Sequence, residues 1–148
     1  MTSDLGWPYC FFDYTQKKFL TNPEYGGDGK SAERCAQFTL PVASFPAHWA
    51  PVDMMFYTGT QFPRQYRGGA FIAFHGSWNR SLRTGYKLVR VHMKNDQPVG
   101  DYEDFLTGFI VDNGNVWGRP VATTELKDGS LLLSDDGGNV IFRISYAR

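Results

Sequence analysis

The chain has 148 residues, 42% hydrophobic and 16% aromatic, and 15 basic side chains balance 15 acidic ones to a formal net charge of zero. That length and apolar content fit one domain with a core, and the balanced charge gives no field that favours nucleic acid or an anionic membrane surface. Sixteen glycines and eight prolines point to short strands and turns rather than long helices, and no apolar run approaches the ~18 residues of a membrane-spanning helix.

Residues 1–50 read as a loop-rich excursion. The first ten residues, MTSDLGWPYC, show neither a charged start nor an apolar run, so they carry no signal-peptide pattern. Cys10 and Cys35 fit no zinc spacing; they either close a loop of 25 residues as a disulfide or remain two buried thiols. NPEYGGDGK at 22–30 reads as a surface loop, and QFTLPV at 37–42 as an extended segment that Pro41 confines to a sheet edge.

From Pro51 the pattern becomes regular. VDMMFYTG alternates, with Val52, Met54 and Phe56 on one face and Asp53, Met55 and Tyr57 on the other. AFIAFHG suits a strand buried on both faces, and YKLVRVHMK sets Val89, Val91 and Met93 opposite Arg90, His92 and Lys94. NDQPVG reads as a turn before a short strand in DYEDFLTGF. These four strands, over 51–110, make one four-stranded blade of a β-propeller. Over 117–148, PVATTEL, SLLLSD and NVIFRISY, joined by Asp128-Gly129 and Gly137-Gly138 turns, make most of a second. Strands are expected near 52–58, 70–75, 86–94, 103–108, 120–126, 130–134 and 139–146. The fold class is all-β: a single partial propeller domain over 1–148, of about two antiparallel blades.

RGGAFIAFHGSWNR at 67–80 and the stretch from WGRP at 117–120 to FRISY end apolar strands in polar groups on tight turns, which is how a propeller builds a central ligand site. GWPYC at 6–10, HWAPVDMMFYTGTQFP at 48–63, HGSWNR at 75–80, GYKLVRV at 85–91, WGRP and DGSLLLSDDGGNVIFRISY at 128–146 follow in that order. Together they resemble the C-terminal part of the soluble pyrroloquinoline quinone (PQQ)-dependent aldose and sorbosone dehydrogenases. The resemblance implies a six-bladed propeller, PQQ over the central channel, calcium at the quinone edge, and oxidation of a sugar or sugar-derived aldehyde.

Carried over residue by residue, the resemblance implies that carbonyls of Gly6 and Pro8 bind calcium, an ion that takes hard oxygen ligands. It makes His48, His75, Trp78, Asn79 and Arg119 the residues toward PQQ. An imidazole can bond a carboxylate or stack, Trp78 offers a flat apolar face, Asn79 an amide, and Arg119 a planar fork for one of three PQQ carboxylates. Asn79 stands where the soluble glucose dehydrogenases carry a lysine. Asp135 and Asp136 read as hairpin-turn chemistry.

No histidine here matches the motif of the family's general base, so no catalytic residue is assigned, and the activity would need further blades. The rival reading is a non-catalytic module that binds sugars on Trp7, Trp49, Trp78 and Trp117. Two sheets cannot close a propeller, so a homo-oligomer is expected, a cyclic trimer ahead of a dimer, with the segment up to Phe12 able to add a fourth strand to the last sheet. The resemblance also implies a periplasmic or secreted location.

Overall fold

A computed structural model describes residues 4–112 and 114–147. The chain divides into two compact units, Met1–Pro46 and Ala47–Arg148. Every strand pairing is antiparallel: a two-stranded, a four-stranded and a three-stranded sheet. Helical structure among the described residues is confined to three short 3-10 turns.

In the first unit, β1 (Cys10–Asp13) pairs with β2 (Lys18–Thr21). The connecting turn forms because Asp13 accepts the amide of Gln16 at 2.7 Å and Lys17 takes the left-handed conformation, φ +53°. Both strands are too short to show periodicity in sequence, and the sequence reading placed none here. That reading placed an extended segment at 37–42 instead. The chain makes a 3-10 turn at Glu33–Gln37 and residues 38–42 form no strand, because Cys35 is bonded to Cys10 and the Phe38 ring packs on Phe19 in a small core. The expected addition of the segment up to Phe12 to the last sheet of its own chain is likewise not what forms, since β1 takes β2 as its partner. The disulfide alternative for Cys10 and Cys35 is the one realised, with Cα atoms 5.8 Å apart.

The second unit holds two sheets. The first runs β3 (Pro51–Phe56), β4 (Ala70–Phe74), β5 (Lys87–Lys94) and β6 (Gln97–Leu106), each beside the next. β4 is buried along its whole length, as its unbroken apolar run requires. β6 begins earlier than expected, at Gln97, because Asn95 and Asp96 both take positive φ (+52° and +59°) and turn the chain in two residues. The second sheet is β7 (Pro120–Glu125), β8 (Leu131–Asp135) and β9 (Val140–Ile144).

The facing sides of these sheets enclose one core of Tyr57, Phe62, Phe71, Ala73, Tyr86, Leu88, Phe109, Leu131 and Leu133. Polar ties cross the same gap. Asp53 accepts the amide and hydroxyl of Thr123 at 2.7 and 3.0 Å, and Glu125 accepts the amide of Thr58 at 2.8 Å. Tyr57, fully buried, donates to the Gly129 carbonyl at 2.7 Å and accepts the amides of Gln61 and Phe62 at 3.2 Å. The outer edge of β9 has no strand partner among the described residues. On β3 the alternation holds, and its Val52, Met54 and Phe56 face is open, each residue more than half exposed. Four-stranded and three-stranded antiparallel sheets packed face to face, their turns gathered at the ends, make this unit a sector of a β-propeller.

Candidate functional site

The site grows from the two turns that leave the buried strands. After β4 the chain passes His75 and Gly76. Gly76 has φ +94°, and the Tyr86 ring lies where a side chain would stand. The Tyr86 hydroxyl donates to the Ser77 carbonyl, and Arg83 donates to the carbonyls of Ser77 and Trp78 at 2.9 and 2.8 Å. This charge-assisted brace fixes the backbone of a turn whose Trp78 side chain is 83% exposed.

The other wall comes from 108–119. The Trp117 indole donates to the Gly108 carbonyl at 2.7 Å and packs on Phe109 and Phe142, with half its surface exposed. Arg119 follows just before β7. Between these walls lies an open cleft of about 500 Å³, lined by Trp78, Arg83, Tyr86, Arg119, Gly137 and residues 114–118, Trp117 among them.

Beside the cleft Asp136, on the β8–β9 turn, joins the two sheets. Its carboxylate receives Arg119 Nε at 2.9 Å and lies 3.0 and 3.2 Å from His75 Nε2. A carboxylate only accepts, so His75 carries its proton on Nε2 in this bond. The His75 bond first, and then the charge of Arg119, hold the Asp136 carboxyl below the usual carboxylate range.

Of the five residues expected toward a cofactor, Trp78 and Arg119 line one cleft and His75 reaches Arg119 through Asp136. Asn79 is exposed on the same turn but does not line the cleft, and His48 is exposed at φ +70° away from its lining. The backbone at 48–50 turns in order to insert Trp49, which is 8% exposed and donates to the Thr84 hydroxyl at 3.0 Å. Trp49 is therefore a core residue rather than a sugar platform. Sequence reads Asp136 only as hairpin-turn chemistry beside Asp135, and gives Arg83 no role. The only signal for Asp136 was a second acid in a turn that the lone Asp135 would already explain.

Gly6 and Pro8 lie in the first unit, joined through Trp7 by a cis peptide before Pro8. The Gly6 carbonyl accepts the Cys10 amide at 2.8 Å, and the Pro8 carbonyl accepts the Asn22 side chain at 3.0 Å. Calcium takes six to eight oxygens, and among the described residues no group of three or more His, Cys, Asp or Glu gathers to hold a metal. Each of these two carbonyls accepts one bond within the first unit and keeps a second lone pair. The cleft residues do fit a planar polycarboxylate: two indoles and a guanidinium at one opening.

Two antiparallel sheets packed face to face with their turns at the ends define the class, a sector of a β-propeller. The TrAA12-like family profile matches residues 3–146, and the chain belongs to that family. It is 37% identical over 144 residues to an uncharacterised protein of Borreliella burgdorferi, covering 97% of this chain and 36% of that protein. It is 32% identical over 95 residues to a pyrroloquinoline quinone-dependent pyranose dehydrogenase of Coprinopsis cinerea, covering 58% of this chain and 12% of that enzyme. The solved holo form of the PQQ domain of Coprinopsis cinerea pyranose dehydrogenase superposes with a TM-score of 0.69 at 27% identity, over 95% of this chain and 40% of that one. The chain thus spans about a third of the first of these curated relatives and about an eighth of the second.

Proposed function

We propose that this chain supplies the Arg119 sector of a PQQ-dependent sugar dehydrogenase. The observation that carries the reading is the cleft that brings Trp78, Trp117 and Arg119 together beside the His75–Asp136 pair. Arg119 binds and orients a carboxylate through its planar fork, a geometry lysine lacks. Trp78 and Trp117 provide flat apolar faces that exclude water from a ring system. His75 holds its proton against Asp136 and contributes no base from Nε2. When bound, PQQ supplies a quinone that accepts hydride from a sugar carbon. Sugar as the substrate class is supported by the relatives' names, and the Cys10–Cys35 bridge supports an oxidising compartment such as a periplasm or the exterior.

Intrinsic tryptophan fluorescence tests this reading, because two indoles line the cleft. PQQ should quench it saturably in the presence of calcium, and Arg119→Ala should weaken binding roughly 10- to 100-fold by loss of a charge-assisted bond. Equal affinity in the two proteins removes Arg119 from the site. Calcium is proposed beside PQQ, with the Gly6 and Pro8 carbonyls among its oxygen ligands; a requirement for calcium supports that role, and an affinity indifferent to calcium removes it. The second reading, a sugar-binding module without chemistry, is favoured by the 72% and 83% exposure of Trp7 and Trp78. Sugar binding by a protein indifferent to PQQ would select it.

The working form proposed is a homo-oligomer, trimer ahead of dimer. The open Val52, Met54 and Phe56 face and the unpaired β9 edge support it, since a head-to-tail contact covers both. Light scattering that shows a monodisperse monomer at micromolar concentration overturns it.

A further inference from the structure

We infer that Asp136 is the positioning residue of the cleft: it fixes the Arg119 guanidinium, and by offsetting its charge it makes the cleft selective for a large polycarboxylate over small anions. The inference rests on the reading that Arg119 receives a ligand carboxylate, and Asp136 itself makes no contact with that ligand.

Arg119 sits on the connection entering β7 and is 47% exposed. A side chain of that length in water samples many rotamers, so an Arg that waits for a ligand loses affinity to ordering. The turn after β8 removes that freedom. Asp136 takes the guanidinium at Nε, 2.9 Å away, and its own amide approaches the Arg119 carbonyl at 3.4 Å. Gly137 lies against the Arg119 stem, where a Cβ would come within 3.3 Å of Cγ. The turn is stiff in its own right, because the buried Asp135 carboxylate accepts the Gly138 amide at 2.7 Å. His75 Nε2, from the other sheet, spans both oxygens of the Asp136 carboxylate at 3.0 and 3.2 Å, sharing Oδ1 with Arg119 Nε. A guanidinium has five N–H donors, and a grip at Nε leaves the terminal nitrogens to fork onto a second carboxylate.

Charge gives the selectivity. Arg119 beside Asp136 sums to zero, and the cleft's other guanidinium, Arg83, is turned onto the Ser77 and Trp78 carbonyls, so a small anion gains little at Arg119. A rigid ligand with aromatic rings and several carboxylates gains from the fork and from Trp78 and Trp117 together.

The test uses three variants of the full chain, Asp136→Ala, Asp136→Asn and Arg119→Ala, and two readouts. The first needs no ligand: NMR of arginine Nε–Hε groups. Arg119 should give a signal protected from water exchange that vanishes in Asp136→Ala and survives in Asp136→Asn, whose amide oxygen still accepts. The second is binding of PQQ and of inorganic phosphate. Asp136→Ala should lose roughly 10-fold in PQQ affinity, while Asp136→Asn should keep PQQ within about 3-fold and gain roughly 10-fold or more for phosphate. An Arg119 signal equally protected in wild type and Asp136→Ala overturns the positioning role, whatever PQQ does. Phosphate binding unchanged in Asp136→Asn overturns the selectivity. If Arg119→Ala alone leaves PQQ affinity unchanged, the cofactor reading of the cleft fails, while the NMR result still decides what Asp136 does.

Discussion

The two units of this chain are held by different physics. Ala47–Arg148 is ordered by strand ladders and an aromatic core in which Phe71 and Phe105 meet at 4.7 Å between ring centroids. Met1–Pro46 has one two-stranded hairpin and a core of Cys10, Phe19 and Cys35 with Phe12 and Phe38 beside it. A segment of that size buries too little apolar surface to fold on area alone, and a cross-link makes up the difference. Its loop at 21–31 is arranged around one carboxylate. Asp28 accepts the amides of Lys30 and Ser31, both at 2.8 Å, and the Thr21 hydroxyl at 2.8 Å. The difference teaches that regular alternation marks the unit whose stability comes from burial, whereas covalent and side-chain-to-backbone bonds can order a segment with no pattern at all.

The largest effect should follow from opening the core of the second unit. Phe71→Ala removes a fully buried ring and should cost about 3–5 kcal/mol in chemical or thermal unfolding. A loss under about 1 kcal/mol would break the comparison, by showing that this unit is not held by its core.

Next in size is the cross-link. Replacing both Cys10 and Cys35 with serine opens a loop spanning 25 positions and should cost about 3 kcal/mol, read as faster amide exchange in β1 and β2. Exchange in β4 and β5 should hardly change. Equal acceleration in both units would mean that they unfold as one.

Tyr57→Phe sharpens the comparison inside the second unit, where polar groups are few but buried. It leaves the Gly129 carbonyl and the amides of Gln61 and Phe62 without their partner and should cost about 1–3 kcal/mol. A neutral result would mean that the three groups find other partners.

The smallest effect concerns Asp28. The backbone bonds of Ser31 and Lys30, with Thr21, hold its carboxyl far below the usual carboxylate range. A carboxyl depressed in the folded state contributes stability that is complete above its unfolded value of about 4 and is lost as pH falls through the folded value. The 21–31 loop should therefore keep its chemical shifts down to about pH 4 and change only in stronger acid. Asp28→Asn should remove that acid transition. A transition at pH 5 or above contradicts the assignment.

Legibility in sequence followed the same divide. Each of the seven strands expected over 51–146 is present, because β4 is an unbroken apolar run and β3 alternates, and Gly129 turns at φ +82° where the Asp-Gly pair marked it. β6 was misjudged at its start, since Asn95-Asp96 lacks the glycine that usually marks a two-residue turn. β1 and β2 left no trace, because CFFD and KFLT are four-residue strands whose stability comes from a disulfide 25 positions long. In the site, Arg119 and Trp78 were legible through the motifs that carry them. Asp136 was not, because its role depends on His75 from one sheet and Arg119 from another, and no local spacing records a meeting across sheets.

The central claim is that the cleft lined by Trp78, Trp117 and Arg119 takes PQQ. A crystal structure of the protein soaked with PQQ tests it most directly. The account predicts the quinone's rings against the two indoles, with one carboxylate on the terminal nitrogens of Arg119 and Asp136 still on Nε. PQQ bound elsewhere on the chain, or a cleft left empty at saturating PQQ, would contradict it.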